Sequence, residues 1–190
     1  MSVNVSIMQL VEDMGRLLGG EHTNQSVTSY LRDHPVILAS LEPYIRFNER
    51  TYTRNLIHKD NLFEAVLLCW EPGQRSMVHR HRDQVGWLTV IQGQLTIITF
   101  IKLRSGAVEQ HEPDINWSPI NSVYLKETHR YTISAGEVFQ EVNEPETIHR
   151  TENTGSQQAI SLHICTHPSE TSVIYDVENH RCRTVRMGYV

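Results

Sequence analysis

Apolar positions near the start of the chain recur at steps of three and four residues, which is the period of an amphipathic helix. This pattern predicts a first helix that ends at Gly19-Gly20. A second helix is predicted to begin between Asn24 and Ser26. It should end at His34-Pro35, because the residue before a proline is pushed out of the helical region. A short third helix is predicted around residues 36–41. The apolar positions of the first helix are Ile7, Leu10, Val11, Met14, Leu17 and Leu18.

From about Tyr52 the pattern changes to short segments that are rich in Val, Ile, Thr and Leu and separated by Gly and Pro. Such punctuation is typical of a strand-rich barrel or sandwich. Residues 104–124 are polar and contain Gly106, Pro113 and Pro119, so they are predicted to form a long connection between strands. The predicted strand segments are residues 64–70, 86–91, 94–101, 122–125, 138–142 and 159–165.

These patterns predict a mainly β fold with a helical N-terminal segment. We expect a helical arm over residues 1–45 and a closed antiparallel β-barrel body over residues 52–190. The length of 190 residues suits one domain with a sizeable core, so residues 1–190 are predicted to form a single domain.

Charge and cysteine usage narrow the class of protein. A net charge of −5 argues against a general nucleic-acid or anionic-membrane surface, and no apolar run approaches the roughly 20 residues of a bilayer span. No secretory signal is visible at the N-terminus. Three widely spaced cysteines suit a reducing compartment, so we expect a cytoplasmic protein.

Histidine is the unusual residue in the composition, with 11 copies. His79 and His81 are two residues apart, so on a strand they share one face while Arg80 and Arg82 share the other. Two exposed strand histidines would explain this pair by itself. Gly73 and Gly93, each at a predicted turn, frame the pair and raise the weight of a metal site.

The spacing of these residues resembles the first motif of the cupin superfamily, a jelly-roll-like antiparallel β-barrel. Gly86 stands where that motif usually has a glutamate ligand, and His149 with Asn153 resembles the end of the second motif. Gly136 and Pro145 match the rest of the second motif only loosely. The resemblance implies that His79, His81 and His149 bind a metal, without a carboxylate ligand.

Within the cupins, the chain resembles the cysteine dioxygenase family, whose three-histidine iron(II) site favours direct binding of a thiolate. The resemblance covers residues 52 to 187. It implies that Arg54 binds the substrate carboxylate through two parallel hydrogen bonds. It also implies that Ser161 and His163 form a catalytic hydrogen-bonded relay. The matching segments are Tyr52-Thr53-Arg54-Asn55-Leu56, Leu68-Cys69-Trp70, His149-Arg150, Glu152-Asn153 and Ser161-Leu162-His163.

The sequence departs from that family at the end of the relay. Cys165 replaces the family tyrosine, and Thr166-His167-Pro168 replaces Ser-Pro-Pro. Gly86 and Cys165 together exclude the cysteine–tyrosine cross-link of mammalian members. Tyr52, Trp70 and Cys165 are expected to contact substrate together with Arg54. A thiol is a weaker hydrogen-bond donor than a phenol, so Cys165 bears on the identity of the substrate.

The resemblance implies an iron(II)-dependent thiol dioxygenase that oxidises a small, carboxylate-bearing, cysteine-like thiol to its sulfinic acid with dioxygen. Two alternatives stay open: a cupin metalloenzyme with another substrate, and a non-catalytic metal-binding cupin. The expected partners are a small thiol and dioxygen, with no nucleic acid and no membrane. The expected assembly is a monomer or a weak homo-oligomer.

Overall fold

The computed structural model describes residues 2–81, 84–105, 116–141 and 147–190. The chain begins with two α-helices, α1 (Ile7–Leu18) and α2 (Asn24–Asp33), and a 3₁₀ helix, Leu38–Tyr44. Side-chain caps begin both α-helices: Ser6 accepts a hydrogen bond from the Gln9 amide, and Thr23 forms a reciprocal capping box with Ser26. The two predicted α-helices are therefore confirmed.

The third helix differs from the prediction, because it begins at Leu38 rather than at residue 36. Val36 pairs instead with Val5 in an isolated parallel bridge, which holds the backbone before Leu38 extended. The bridge joins the segment before α1 to the segment after α2 and so closes the helical arm.

Eleven strands follow within the described residues, and every pairing between them is antiparallel. They form a five-stranded sheet and a six-stranded sheet. The strands are β1 (Thr53–Lys59), β2 (Phe63–Trp70), β3 (Val78–Arg80), β4 (Gly86–Gln92), β5 (Gln94–Ser105), β6 (Val123–Ser134), β7 (Val138–Glu141), β8 (Ile148–Glu152), β9 (Ala159–Thr166), β10 (Thr171–Asp176) and β11 (Arg181–Arg186).

Several neighbouring strands in each sheet come from distant parts of the sequence. The five-stranded sheet has the order β1-β2-β9-β4-β7, and the six-stranded sheet has the order β11-β10-β3-β8-β5-β6. β3 carries His79 of the first predicted motif and β8 carries His149 of the second, and the two strands are neighbours in the second sheet. The predicted mainly β cupin architecture with a helical N-terminal segment is confirmed.

The five-stranded sheet separates two environments, because alternate residues of a strand point to opposite faces. Ile160, Leu162 and Ile164 on β9 pack in one cluster with the apolar faces of α1 and α2. Burial of each large apolar side chain in such a cluster contributes about 1.5–3 kcal/mol. The opposite face of β9 carries Ser161 and His163. The helical arm thus covers one face and leaves the other for the interior of the barrel.

Gly93 makes the tight turn between β4 and β5. Its φ is +76°, and a Cβ placed there would come within 2.7 Å of the Gln158 carbonyl oxygen. Gly73 also has a positive φ, of +80°. Both glycines of the predicted frame therefore lie where the backbone requires a residue without a side chain.

The predicted long connection over residues 104–124 is shorter than expected, since β5 continues to Ser105 and β6 begins at Val123. Extended pairing of the two strands accounts for the difference. Some predictions lie outside the described residues: the turn residues Gly106 and Pro113, the outward orientation of Arg82, residue 142 of one predicted strand, and Pro145.

Candidate metal and substrate site

The three predicted metal ligands converge at one point between β3 and β8. His79 lies directly opposite His149 in the pairing of these strands, and their ring centroids are 4.4 Å apart. The His81 ring lies 4.7 Å from the His79 ring and 5.4 Å from the His149 ring. One nitrogen of each ring lies within 4.8 Å of the other two.

The local backbone differs in one respect from the predicted single strand that carries both His79 and His81. β3 ends at Arg80, so His81 lies just after the strand. The strand is short because β3 pairs with β8 only at His79 and Arg80. The two imidazoles still reach the same point, and their Nε2 atoms are 3.1 Å apart.

The tautomers of these two histidines follow from their other ring nitrogens. His79 Nδ1 lies 2.9 Å from the Met77 carbonyl oxygen, which can only accept, so Nδ1 donates. His81 Nδ1 lies 3.1 Å from Gln84 Oε1, while the Gln84 amide nitrogen donates to the His167 carbonyl. Each neutral ring therefore presents a lone pair on Nε2. Two lone pairs at this distance need a cation to share, so the arrangement fits a bound metal ion.

His149 completes the cluster from the interior and is 4% exposed. Burial, followed by the electrostatic effect of the nearby His81, lowers the pKa of His149 to about 3. A neutral imidazole is the form that binds metals. Within the described part of the chain, no carboxylate joins this cluster. Three imidazoles suit iron, zinc, copper or nickel rather than magnesium or calcium.

The cluster opens into a pocket between the sheets. The predicted residues Tyr52, Arg54, Trp70, His163 and Cys165 all line it with the three histidines. Ser161 is buried and is not part of the pocket wall. The remaining lining residues are Glu64, Val66, Leu68, Ser76, Thr151 and Met187.

Ser161 connects two pocket residues from behind the wall. The Trp70 indole nitrogen donates to Ser161 Oγ at 3.0 Å, and the same oxygen lies 2.9 Å from His163 Nε2. Tyr52 stacks on Trp70 with ring centroids 4.4 Å apart. Burial raises the pKa of Tyr52, so its phenol stays protonated at neutral pH. The chain of contacts fixes the His163 ring and the Trp70 ring together.

Arg54 reaches the pocket from β1, and its side chain is 16% exposed. Its Nη1 donates to the Gly188 carbonyl at 3.3 Å, and its guanidinium lies over the Tyr189 ring at 5.1 Å. The structure thus places the predicted anchor in the pocket, but the tail of the chain and a carboxylate already contact it.

That carboxylate belongs to Glu64, which no sequence motif marks. Glu64 is 4% exposed, and its Oε1 lies 3.8 Å from Arg54 Nη2. The Tyr189 hydroxyl donates to the other carboxylate oxygen. Burial and this contact raise the pKa of Tyr189, which keeps its proton on the phenol. The available signal was one charged residue within the otherwise apolar strand β2.

Cys165 is buried at the end of the pocket next to Glu64. It lies opposite Glu64 on β2 and opposite Gly86 on β4. The residue that replaces the family tyrosine therefore lies between a carboxylate and a residue without a side chain.

Comparison with known proteins identifies relatives of this chain. The sequence profile of the family described as cysteine dioxygenase type I matches residues 6–178. Cysteine dioxygenase type 1 of Rattus norvegicus is 25% identical over 187 residues, covering 97% of this chain and 86% of the rat protein. Cysteine dioxygenase type 1 of Danio rerio is 28% identical over 152 residues, covering 77% of this chain and 66% of the fish protein.

One solved structure shows the fold alone. It is an uncharacterized conserved protein with a double-stranded β-helix domain from Klebsiella pneumoniae, with a TM-score of 0.50 and 16% identity. The match covers 70% of this chain and 87% of that chain. No helix among the described residues has both the length and the apolar character to cross a bilayer. The profile match over most of the sequence shows that this chain belongs to the cysteine dioxygenase type I family.

Proposed function

We propose that this protein is an iron(II)-dependent thiol dioxygenase that converts a small, carboxylate-bearing, cysteine-like thiol to its sulfinic acid. The observation that carries the proposal is the cluster of His79, His81 and His149, which no carboxylate joins among the described residues and which opens into a pocket lined by Arg54. The balanced reaction is RSH + O₂ → RSO₂H. Both oxygen atoms form bonds to sulfur, sulfur is oxidised, and dioxygen is reduced.

His79, His81 and His149 would hold the iron. When bound, iron(II) would supply a site at which thiolate and dioxygen are held next to each other and become reactive. Met77 and Gln84 orient two of the imidazoles through their outer nitrogens, which sets the direction of the metal-facing lone pairs.

The other pocket residues bind and orient the thiol. Arg54 attracts the substrate carboxylate, and Tyr52 and Trp70 form a stacked wall beside it. Ser161 holds the His163 ring, whose place in the pocket suits transfer or donation of a proton near the reacting sulfur. Cys165 leaves room where a larger side chain would extend into the pocket. Correct orientation of the thiol makes oxygen transfer effectively intramolecular.

The proposed setting is the cytoplasm, with a small thiol and dioxygen as partners. All three cysteines are free and buried, which is consistent with a reducing compartment. We propose a monomer or a weak homo-oligomer that binds neither nucleic acid nor membranes.

Oxygen uptake by anaerobically iron-loaded protein tests the function. We expect thiol-dependent uptake with a sulfinic acid product that gains two oxygen atoms, measured with an oxygen electrode and mass spectrometry. His149→Ala should abolish both uptake and stoichiometric iron binding. The matched control is His129→Ala, on the exposed part of β6, which should leave both unchanged. Background uptake with cysteine, 3-mercaptopropionate, mercaptosuccinate and cysteamine would contradict the proposal.

Cys165 favours a second candidate, because it removes the phenol of the family relay. In that case the pocket performs another metal-dependent reaction, or it binds a metal without catalysis. Metal analysis of the isolated protein separates these cases. Iron with thiol-dependent oxygen uptake supports the dioxygenase, whereas stoichiometric zinc or nickel without turnover supports a metal-binding protein.

A further inference from the structure

Glu64 places a carboxylate inside the pocket, and its side chain is only 5% exposed. The other residues on its face of β2, Val66, Leu68 and Trp70, are apolar and belong to a buried cluster. A carboxylate in such surroundings is costly unless charged or hydrogen-donating groups compensate it. Its position on the pocket wall also makes it available to a bound molecule.

The contacts of Glu64 leave part of its acceptor capacity for a ligand. The Tyr189 hydroxyl donates to Oε2. The Arg54 guanidinium nitrogen is 3.8 Å from Oε1, which is an ion-pair distance but longer than a hydrogen bond. A carboxylate offers about four acceptor positions, and these contacts fill one. The two protein groups therefore hold the carboxylate in place without saturating it.

Glu64 also reduces the positive charge that Arg54 presents to a substrate. The negative charge of Glu64 offsets the positive charge of Arg54, and the Gly188 carbonyl accepts one of the guanidinium hydrogen bonds. A thiol with only a carboxylate would bring a second negative charge next to Glu64. A thiol that carries an ammonium group would bring a positive charge and N–H donors to it.

We propose that Glu64 is a specificity-determining residue that binds the ammonium group of an aminothiol, so that the amine carries more of the recognition than the carboxylate. This inference rests on the proposed thiol dioxygenase function. It narrows the substrate class to small aminothiols such as cysteine, and cysteamine serves as the probe that carries the amine alone. Tyr189 is a positioning residue, because it acts through the Glu64 carboxylate.

Anaerobic binding and aerobic turnover of three thiols test the proposal with iron-loaded protein. Cysteine has both charged groups, cysteamine has only the amine, and 3-mercaptopropionate has only the carboxylate. We expect the wild-type protein to bind cysteine and cysteamine more tightly than 3-mercaptopropionate. We expect Glu64→Gln to lower the ratio of kcat/KM for cysteamine to that for 3-mercaptopropionate by about tenfold or more, because a charge-assisted hydrogen bond is lost.

Two further variants separate recognition from a general loss of structure. Tyr189→Phe should shift the same ratio in the same direction, but by less. Asp176→Asn removes a carboxylate from an ion pair with Arg181 on β10, outside the pocket, and should leave the ratio unchanged. The wild-type ranking needs no variant, so it tests the preference for an amine even if Glu64→Gln fails to fold, and Tyr189→Phe then tests the role of the carboxylate.

The outcomes distinguish this inference from the proposed function. Wild-type protein that neither binds nor oxidises any thiol would overturn the proposed function itself. Wild-type turnover that favours 3-mercaptopropionate, or a ratio unchanged by Glu64→Gln, would overturn only the role of Glu64.

Discussion

Gly86 lies directly opposite Cys165 in the antiparallel pairing of β4 and β9. These are the two positions at which the sequence resemblance places the cross-linked pair of mammalian cysteine dioxygenases. They are neighbours in the sheet, so the two departures affect one place, where Cys165 lines the pocket and Gly86 lies beside it. At that place one strand offers no side chain and the other offers a small thiol.

Cys165→Tyr is expected to raise kcat for thiol oxidation by about tenfold, because it returns a phenol beside His163 and Glu64. Steady-state oxygen uptake on iron-loaded protein measures the change. Cys165→Phe is the matched control, since it fills the same space without a hydroxyl. Equal rates for the two variants would show that the phenol contributes nothing here.

Gln84→Ala is expected to weaken metal binding by about 10–100-fold, because Gln84 orients the His81 ring through Nδ1. Competition with a chelator of known affinity measures the loss. Gln94→Ala is the control, because Gln94 is an exposed glutamine that contacts Ser134 far from the cluster. If both variants bind metal equally well, Gln84 has no role in orienting the ligand.

Ser161→Ala is expected to lower the free energy of unfolding by about 1–3 kcal/mol, because it leaves the buried Trp70 indole N–H without its acceptor. Urea denaturation with a fluorescence or circular dichroism readout measures this. The double variant Trp70→Phe with Ser161→Ala should lose less than the sum of the two single losses, since both partners are then gone. If the free-energy losses of the two single variants add up to that of the double variant, the hydrogen bond between Trp70 and Ser161 does not stabilise the protein.

Tyr30→Phe is expected to cost about 1 kcal/mol of stability at pH 7, because it removes a hydrogen bond from α2 to Asp13 on α1. That bond is the largest cause that lowers the pKa of Asp13 from 3.8. A lowered folded-state pKa stabilises the protein above the unfolded-state value, and this contribution disappears as the pH falls through the folded-state value.

The difference in the free energy of unfolding between wild type and Tyr30→Phe should therefore become smaller as the pH falls well below 3.8. Chemical denaturation at several pH values measures it. Tyr131→Phe, on exposed β6, serves as the control and should show no pH-dependent difference. If the difference in the free energy of unfolding stays constant over these pH values, the effect of Tyr30→Phe does not come from its hydrogen bond to Asp13.

The elements with a clear hydrophobic period were predictable from sequence. The helices α1 and α2 present one apolar stripe each, β2 is buried throughout, and β9 is buried at every position except His163. The prediction for β6 ended at residue 125, whereas the strand continues to Ser134. Residues 126–132 are exposed, so no alternation of apolar and polar residues marks them. Pairing with β5 forms that part of the strand.

The candidate site was predictable where a motif marks it and not where contacts define it. The three histidines have a recognisable spacing, and the structure brings them together. Glu64 has no such mark, because its environment depends on Arg54 and Tyr189, which are 10 and 125 residues away in the chain. Sequence patterns do not show which of many charged residues becomes enclosed.

The two faces of β9 have a consequence for how this protein can diverge. Ile160, Leu162 and Ile164 pack against the helical arm, while His163 and Cys165 line the pocket. Selection on folding and selection on chemistry therefore act on different residues of one strand. Position 165 can accept new side chains without loss of the contacts that fasten the arm. A lineage can thus change the lining of the pocket while the body of the molecule stays the same.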